Sequence, residues 1–336
     1  MRKTTRREFV KAGIGAAALS GVAAGELVHA AAKSGSLAAT ASGSLARDDS
    51  SGPGGAEQTS SGGQKAAGKA GRLEVKKGLV WDMLPEKMTV AERMKLARGC
   101  GFEVVQAPTT PDQRAAEELG KAAEAAGIRI DSVMNMAHWK YPLSSSDRAV
   151  VAKSVEGMKT SLQNAKLWGA DAVLLVPAVV SPETSYADAW QRSQIQIKEE
   201  LLPLAADMKV VIAIEEVWNK FLLSPLEMSM YIDDFESPWV KAWFDVGNVV
   251  LYGYPQDWIH TLGKNIYKVH LKDFKRKENG YAWVNLGDGD VDWAAVRGAF
   301  ADVGYSGSVI AELDAGDEAY LKDVVKRIER LVVGAG

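Results

Sequence analysis

A closed barrel of eight parallel strands, each followed by a helix, is the fold class that the sequence predicts. Short apolar runs rich in Val and Ile alternate with amphipathic stretches from Lys76 onward. Eight such strand-then-helix units occupy residues 73–336, in agreement with a (β/α)8 barrel in both count and length. A doubly wound open sheet is the competing fold, but no glycine-rich phosphate-binding fingerprint follows any of the strands.

The predicted strands are short apolar runs separated by helical patterns. In chain order they are GLVWDML (78–84), FEVVQAP (102–108), IRIDSVMNM (128–136), DAVLLVPA (171–178), KVVIAIEEVWN (209–219), VKAWFDVGN (240–248), IYKVHLKDF (266–274) and GSVIAEL (307–313). Strands separated by helical patterns of this length form parallel βαβ units.

The helices are predicted from the signals at their ends. Thr89 and Glu92 form a capping box at the start of the first helix, and the second, PDQRAAEELGKAAEAAG, ends in the expected glycine. The segment SPLE (224–227) begins another helix with proline at its first position. The remaining helices are predicted over 147–169, 186–208, PQDWIHTLG, VDWAAVRGAFADVG and DEAYLKDVVKRIERLV.

Residues 1–30 predict a secretory signal. They run from a basic start through a weakly apolar stretch to the small-residue site VHA (28–30), and Arg6 and Arg7 before Phe9 indicate the twin-arginine route. Glycines interrupt the apolar stretch, which is shorter than the roughly 18 residues of a spanning helix. We therefore expect export through the Tat translocon to the periplasm or the cell exterior, without stable membrane insertion.

Residues 31–72 contain Ala, Gly, Ser and polar residues with almost no large apolar side chain. Such a segment cannot bury enough apolar surface to offset the entropy of ordering the chain. We predict a flexible tether between the leader at 1–30 and a barrel domain at 73–336.

The net charge argues against nucleic-acid binding, and the cysteine content excludes an intrachain disulfide. The leader carries five basic and two acidic residues, so its removal changes the formal net charge from −3 to −6. An acidic chain without basic runs is a poor candidate for a nucleic-acid binder. Cys100 is the only cysteine, so no intrachain disulfide forms, and we expect a small helix-end residue packed against the core.

Ionisable residues at the strand ends predict the site. In a barrel of this kind, the C-terminal ends of the strands meet at one mouth, and that mouth carries the chemistry. The first four strands mostly lack such residues, whereas the last four end in Glu215 and Glu216, Asp245, His270 and Glu312. An unpaired carboxylate after an apolar strand is costly to bury, so we expect a cation among them.

Three carboxylates and one imidazole are mostly hard oxygen donors, which suit Mn²⁺, Mg²⁺ or Co²⁺ with coordination positions left for water or substrate. Zn²⁺ is a weaker candidate because it usually prefers more nitrogen or sulfur ligands. The alternative is a set of strand-end salt bridges with Lys268, Lys272 or Arg276. Four such groups on consecutive strands need a compensating charge. This favours one divalent ion per chain, Mn²⁺ first, with His270 as its nitrogen ligand.

The segments IAIEEVWNKFLLSP, WFDVGNV, KVHLKDFKR and VIAEL follow one another in this order. In these segments the chain resembles the xylose-isomerase-like superfamily of sugar isomerases and epimerases, which includes ketose 3-epimerases, hydroxypyruvate isomerases and barrel endonucleases. The resemblance covers the whole domain after the tether and implies a TIM barrel. By position it implies the metal ligands Glu215, Asp245, His270 and Glu312.

The resemblance also implies roles in catalysis and substrate binding. Glu215 and Glu312 would exchange a proton with a carbon next to a carbonyl, one as base and one as acid, through a metal-stabilised enediolate. Substrate contacts are expected from His138, Trp139, Trp218, Asn248, Lys272 and Arg276. Two positions depart from the family pattern: Glu216 stands where members commonly have Asn, and Asn248 where ketose epimerases often have His.

These inferences predict an exported, metal-dependent isomerase or epimerase that acts on a free or glycosidic carbohydrate. A sugar phosphate is the second choice, because such metabolites are chiefly cytosolic. The alternatives are a lyase that cleaves keto-glycosides by related chemistry and a non-catalytic sugar-binding barrel. A barrel endonuclease is less favoured, because such enzymes bind several metals through several histidines, and His138, His260 and His270 are the only ones after residue 30. The particular sugar, the reacting carbon, the metal and a homo-oligomeric state stay open.

Overall fold

The computed structural model describes residues 72–334. Contacts divide the chain into two units, Met1–Gly68 and Lys69–Gly336, and all described residues belong to the second. The predicted leader, and the predicted tether except for its last residue, lie outside the described residues.

The described part of the chain contains ten strands, of which eight close into a parallel barrel. They are β1 (Lys76–Val80), β2 (Val104–Pro108), β3 (Arg129–Met134), β4 (Ala172–Leu175), β5 (Val211–Glu215), β6 (Val240–Asp245), β7 (Ile266–Leu271), β8 (Asp273–Lys277), β9 (Gly280–Val284) and β10 (Ser308–Ala311). The barrel order is β1-β10-β7-β6-β5-β4-β3-β2, and β10 closes the ring by pairing with β1. The predicted fold class is therefore confirmed.

Nine α-helices of the described residues surround the barrel. They are α1 (Val90–Cys100), α2 (Gln113–Ala126), α3 (Arg148–Trp168), α4 (Tyr186–Gln196), α5 (Leu202–Met208), α6 (Pro225–Asp233), α7 (Pro255–Leu262), α8 (Trp293–Asp302) and α9 (Glu318–Ile328). The predicted capping box forms at Thr89 before α1, and a second one forms at Ser224 before α6. A π-helical turn at Ile197–Leu201 joins α4 to α5, so the helix predicted over 186–208 is continuous.

Cys100 is buried at the end of α1, in the position expected for a structural thiol. Burial, with a smaller contribution from the nearby Glu318, raises the pKa of this thiol, which keeps it in the unreactive protonated form. Within residues 72–334, no helix combines the length and the apolar character needed to cross a membrane.

A polar layer fills the barrel interior below the mouth. Alternate residues of a strand face the same side, so Lys268 and His270 on β7 both point into the barrel, one layer apart. The Lys268 ammonium lies 2.8 Å from Asp131 Oδ2 and 2.8 Å from Asp171 Oδ1, and the Ser308 hydroxyl also donates to Asp131. Lys268 is therefore neutralised in this lower layer and forms no ion pair with the strand-end group.

The antiparallel hairpin β8–β9 is inserted between β7 and α8, where the sequence predicted the end of a strand over 266–274 and then a loop; β7 ends at Leu271, and Asp273 begins β8. The buried Asp273, at the start of β8, connects the hairpin to the segment that follows it. Its carboxylate accepts hydrogen bonds from Gly287 N (2.8 Å), Val291 N (3.3 Å) and Trp293 Nε1 (2.9 Å). A Cβ on Gly289 would overlap Asp273 Oδ1, so only glycine fits this close approach. The hairpin is thereby fixed beside the barrel mouth.

Candidate metal centre and active site

Four of the predicted residues meet at the C-terminal mouth of the barrel. One ligand atom from each of Glu215, Asp245, His270 and Glu312 lies within 4.8 Å of the others. The His270 Nδ1 atom is 2.8 Å from Glu215 Oε1, 3.3 Å from Glu312 Oε2 and 3.9 Å from Asp245 Oδ2. Three of these side chains are fully buried, while that of Glu312 is 13% exposed. Glu312 is therefore the member most accessible from the mouth.

Strand register explains this convergence. Asp245 is paired with His270 across β6 and β7, and the Glu312 backbone N–H donates to Leu271 O at 3.0 Å. Because parallel strands end at the same side of the barrel, their last side chains meet there. The backbone ladder, not a flexible loop, places these groups.

The segment DVGN (245–248) forms a turn that orients the Asp245 carboxylate. Its Oδ1 atom accepts hydrogen bonds from the backbone amides of Gly247 (2.8 Å) and Asn248 (2.9 Å), which directs Oδ2 toward the group of four. A Cβ on Gly247 would lie 2.6 Å from Lys272 Cγ, so the turn requires glycine for steric reasons.

His270 is held on three sides. Its Nδ1 atom faces the carboxylates, its Nε2 atom lies 2.8 Å from Gln106 Oε1, and its ring packs against that of Trp243 with centroids 4.8 Å apart. Gln106 was not predicted as a site residue, although it follows Val104 and Val105 in the predicted strand FEVVQAP. Its amide carries no charge, so a pattern of ionisable residues at strand ends does not include it, although its place near the end of a strand is visible in the sequence.

Lys272 is the cation that approaches the group. Its ammonium lies 2.9 Å from Asp245 Oδ2 and 2.9 Å from Glu312 Oε2, and 5.0 Å from the ring centroid of Trp283. Part of the salt-bridge alternative is therefore present, since Lys272 pairs with two of the three carboxylates. One lysine does not neutralise three carboxylates, so a requirement for further positive charge remains.

The pKa values of two buried carboxyl groups are raised, in agreement with this excess of negative charge. Burial raises the pKa of Asp245, and the charges of Glu312 and Glu215 act in the same direction against the opposing effect of Lys272. The pKa of the fully buried Glu216 is raised well above its ordinary value, first by burial and then by the charges of Asp245 and Glu215. Within the described residues, Glu216 Oε2 has no hydrogen-bond partner.

We expect Glu216→Gln to stabilise the metal-free protein at about pH 8, because the substitution removes the cost of ionising a buried carboxyl group beside Asp245 and Glu215. Folding raises the pKa of Glu216 above its ordinary value of 4.5. The contribution of this group to the stability of the fold is therefore fully present at about pH 4.5 and below, and it is lost as the pH rises through the raised pKa. Glutamine stays neutral and retains an oxygen that can accept the Asp245 N–H, which Glu216 Oε1 accepts at 3.0 Å.

Denaturant unfolding in the presence of a chelator measures this difference. The advantage of Glu216→Gln should shrink as the pH falls toward about 4.5, because wild-type Glu216 is then protonated. Glu199→Gln, at an exposed position, is the matched control and should show no pH-dependent gain. A gain of equal size at both pH values would contradict the electrostatic explanation.

An aromatic cluster lies against the mouth on the side of the hairpin. Trp218 contacts Phe274, Tyr281 and Trp283, with ring centroids 5.9, 4.7 and 5.1 Å away, and its indole N–H donates to Asn248 O at 2.9 Å. Trp283 is 37% exposed, so part of this cluster is open to solvent. The sequence predicted Trp218 here but not Tyr281 or Trp283, which the hairpin brings beside it.

His138 and Trp139 follow β3, on another side of the mouth. Their rings make an edge contact at 4.3 Å. His138 is buried and its Nδ1 accepts the backbone N–H of Val176 at 3.0 Å, so this imidazole carries its proton on Nε2. Trp139 is half-buried against the core. Their role in substrate binding stays a prediction.

Asn248 and Arg276 make hydrogen bonds within the protein. The buried Asn248 side chain donates to Glu216 O at 2.9 Å, which connects the end of β5 to the turn after β6. Arg276 lies on the exposed part of β8, and its guanidinium donates to Val250 O at 2.6 Å. Both residues lie on segments that border the mouth, and their predicted substrate contacts stay predictions.

The donor set fits a divalent ion. It comprises one oxygen each from Glu215, Asp245 and Glu312 and the Nδ1 of His270, all close enough to share one cation. The buried carboxylates, whose mutual repulsion contributes to the raised pKa of Asp245, gain from such a cation. Hard oxygen donors with one imidazole suit Mn²⁺, Mg²⁺ or Co²⁺ better than a soft metal that prefers sulfur ligands.

Fold and site together define a (β/α)8-barrel protein with a buried group of three carboxylates and one histidine at its mouth. The family model of the xylose isomerase-like TIM barrel matches residues 94–331. The chain belongs to this family, which confirms the resemblance seen in the sequence.

Individual relatives carry epimerase names. L-ribulose-5-phosphate 3-epimerase UlaE of Escherichia coli O1:K1 is 26% identical over 249 residues, which are 70% of this chain and 86% of that protein. A D-psicose 3-epimerase structure determined in the presence of D-fructose has a TM-score of 0.65 at 17% identity and covers 77% of this chain and 100% of that one. The 3-keto-D-glucoside 4-epimerase YcjR of E. coli has a TM-score of 0.65 at 15% identity, covering 76% and 99%. At these identities the two structures show a shared fold.

Proposed function

We propose that this protein is a metal-dependent sugar epimerase, an enzyme of the isomerase class. The observation that carries the proposal is the convergence of Glu215, Asp245, His270 and Glu312 within 4.8 Å of one another at the barrel mouth. Membership of the xylose isomerase-like family and the epimerase names of its relatives support the same reaction class.

Two glutamates on separate strands perform the proton transfers. Glu215 ends β5 and Glu312 follows β10, and His270 Nδ1 lies between them, 2.8 Å from one and 3.3 Å from the other. One carboxylate removes the C–H proton next to the substrate carbonyl, which leaves an enediolate, and the other returns a proton to the opposite face. The configuration of that carbon is thereby inverted without a change in oxidation state.

The remaining residues hold the reacting groups. Asp245 and His270 complete the ligand set, and Lys272 fixes the orientation of the Glu312 carboxylate through its 2.9 Å ion pair. A divalent ion bound by the four ligands would supply positive charge next to the substrate oxygens, where negative charge develops. Mn²⁺ is our first choice, with Mg²⁺, Co²⁺ and Zn²⁺ as alternatives.

A free keto-sugar is the proposed substrate class. The aromatic cluster of Trp218, Tyr281 and Trp283 offers a partly exposed apolar surface beside the mouth, and sugar rings present apolar C–H faces to such surfaces. Two of the named relatives are epimerases of a ribulose phosphate and of psicose. The twin-arginine leader proposed at 1–30 would remove the enzyme from cytosolic sugar phosphates, which favours an unphosphorylated sugar.

Epimerisation of a keto-glycoside is the second candidate, since a structural relative is a 3-keto-D-glucoside 4-epimerase. Removal of the C2 proton of a 3-keto-glycoside, on the other side of the carbonyl from C4, can instead expel the glycosidic oxygen from C1; the oxygen takes up a proton and leaves as the aglycone alcohol, which would make the enzyme a lyase. The products separate these reactions, because a lyase releases the aglycone and an epimerase does not.

Proton exchange with deuterated water tests the proposal. The purified full-length chain, with and without Mn²⁺, is incubated with D-psicose, D-fructose, L-ribulose, L-ribulose 5-phosphate and a 3-keto-glucoside, and the products are followed by NMR. We expect deuterium at the epimerised carbon only with metal, loss of exchange with a chelator, and recovery on adding Mn²⁺. Sugar binding without exchange under any metal would instead support a non-catalytic sugar-binding barrel.

A further inference from the structure

Gln106 reaches across the barrel interior to the histidine of the candidate metal centre. It lies on β2, three strands away from His270 on β7 in the ring, and is 1% exposed. Its side-chain oxygen lies 2.8 Å from His270 Nε2. This ring nitrogen is on the far side of the imidazole from the carboxylates, so Gln106 contacts His270 from behind the site.

The other end of the same amide has no hydrogen-bond partner. Among the described residues, Gln106 Nε2 is one of the buried side-chain atoms without one. A buried donor left unsatisfied usually costs about 1–3 kcal/mol. The stability of the fold therefore does not account for an amide at this position, whereas its contact with His270 does.

The orientation of the amide determines which nitrogen of His270 is available. With the Gln106 oxygen toward the ring, Nε2 must carry a proton and donate it to that oxygen, which leaves Nδ1 as the only ring nitrogen that can bind a cation shared with the three carboxylates. With the amide NH₂ toward the ring, Nε2 would have to accept, the proton would lie on Nδ1, and that nitrogen could not bind a cation. The indole of Trp243, 4.8 Å from the imidazole, packs against the ring from the side.

We propose that Gln106 is a positioning residue that fixes His270 as the tautomer protonated on Nε2 and so makes Nδ1 a metal ligand. This inference rests on the proposed metal centre. A hydrogen-bond acceptor behind a metal-binding histidine fixes the ring orientation and increases its basicity, and loss of such an acceptor typically weakens metal binding by about 10- to 100-fold.

Two substitutions of Gln106 distinguish the effect of its acceptor oxygen on metal binding from the effect of its side-chain shape. Gln106→Met keeps the length and removes the acceptor oxygen, while Gln106→Glu keeps an acceptor at the same reach. Gln194→Met is the matched control, because Gln194 is also buried but donates to Tyr231 O and Asp234, away from the site. Mn²⁺ binding to the full-length chain is measured by the electron paramagnetic resonance signal of free Mn²⁺, with circular dichroism as a check of folding.

We expect Gln106→Met to raise the Mn²⁺ dissociation constant about 10- to 100-fold, while Gln106→Glu and Gln194→Met stay within a few-fold of wild type. Wild-type affinity in Gln106→Met would overturn the inference, and so would an equal loss in a folded Gln106→Glu variant, because the acceptor would then be irrelevant. If the wild-type chain binds no Mn²⁺, the metal centre itself is wrong and the role of Gln106 is wrong with it.

Discussion

Glu312→Gln is expected to lower the rate of metal-dependent proton exchange by roughly 10²- to 10⁴-fold, the usual contribution of one general acid–base group. Glutamine has nearly the same shape and keeps one oxygen toward the ligand group, but it cannot take up or release the proton. The Glu312 side chain is 13% exposed, whereas that of Glu215 is fully buried. We therefore expect Glu312 to be the carboxylate that a substrate meets first.

The control is Glu318→Gln, six residues further along, at an exposed site that pairs with Lys322 at 2.7 Å. It should leave the exchange rate unchanged. The measurement is deuterium incorporation into the keto-sugar identified with the wild-type chain, at saturating Mn²⁺. Full activity of Glu312→Gln in this assay would exclude the proposed acid–base role.

Asp245→Asn is expected to weaken Mn²⁺ binding by more than about 100-fold, beyond the roughly 10- to 100-fold cost of losing a residue that only supports a ligand. Asparagine retains an oxygen for the hydrogen bonds from Gly247 N and Asn248 N, so the turn keeps its shape. The amide nitrogen that replaces Oδ2 carries no negative charge and cannot bind the cation.

The same substitution should leave the metal-free fold as stable as wild type or more stable. Burial raises the pKa of Asp245, so its ionised form costs stability in the absence of a cation. Calorimetric titration with Mn²⁺ and thermal unfolding with a chelator measure the two effects. Asp302→Asn is the control, since this exposed carboxylate also contacts a histidine, His260 at 3.2 Å, but lies outside the site. Unchanged Mn²⁺ affinity in Asp245→Asn would remove Asp245 from the ligand set.

The strand-end residues were predictable because a simple periodic rule governs a parallel barrel. Each apolar run marks a strand, and a polar residue at its end lies at the common mouth. Glu215, Asp245, His270 and Glu312 all satisfy this rule, and the structure brings them together. The twin-arginine leader and the tether lie outside the described residues and stay predictions.

The supporting contacts were not predictable in the same way. The Gln106 contact with His270 joins residues 164 positions apart, and local hydrophobic periodicity carries no information about such a pair. The hairpin was not predicted, because Asp273 and Phe274 were assigned to the preceding strand, and the rest of DFKRK and the segment GYAWV were assigned to the loop that follows it. As a result, Tyr281 and Trp283 were not assigned to the mouth.

By itself, the sequence determined the eightfold alternation, the strand-end group of three carboxylates and one histidine, and the family, since each depends on the order of residues along one strand or one helix. The tertiary structure alone decided that Lys268 is neutralised below the mouth while Lys272 pairs with two carboxylates of the site. The reason is physical: which cation meets which carboxylate depends on how the ring closes and on the layer that each side chain enters, and both are set by packing between strands.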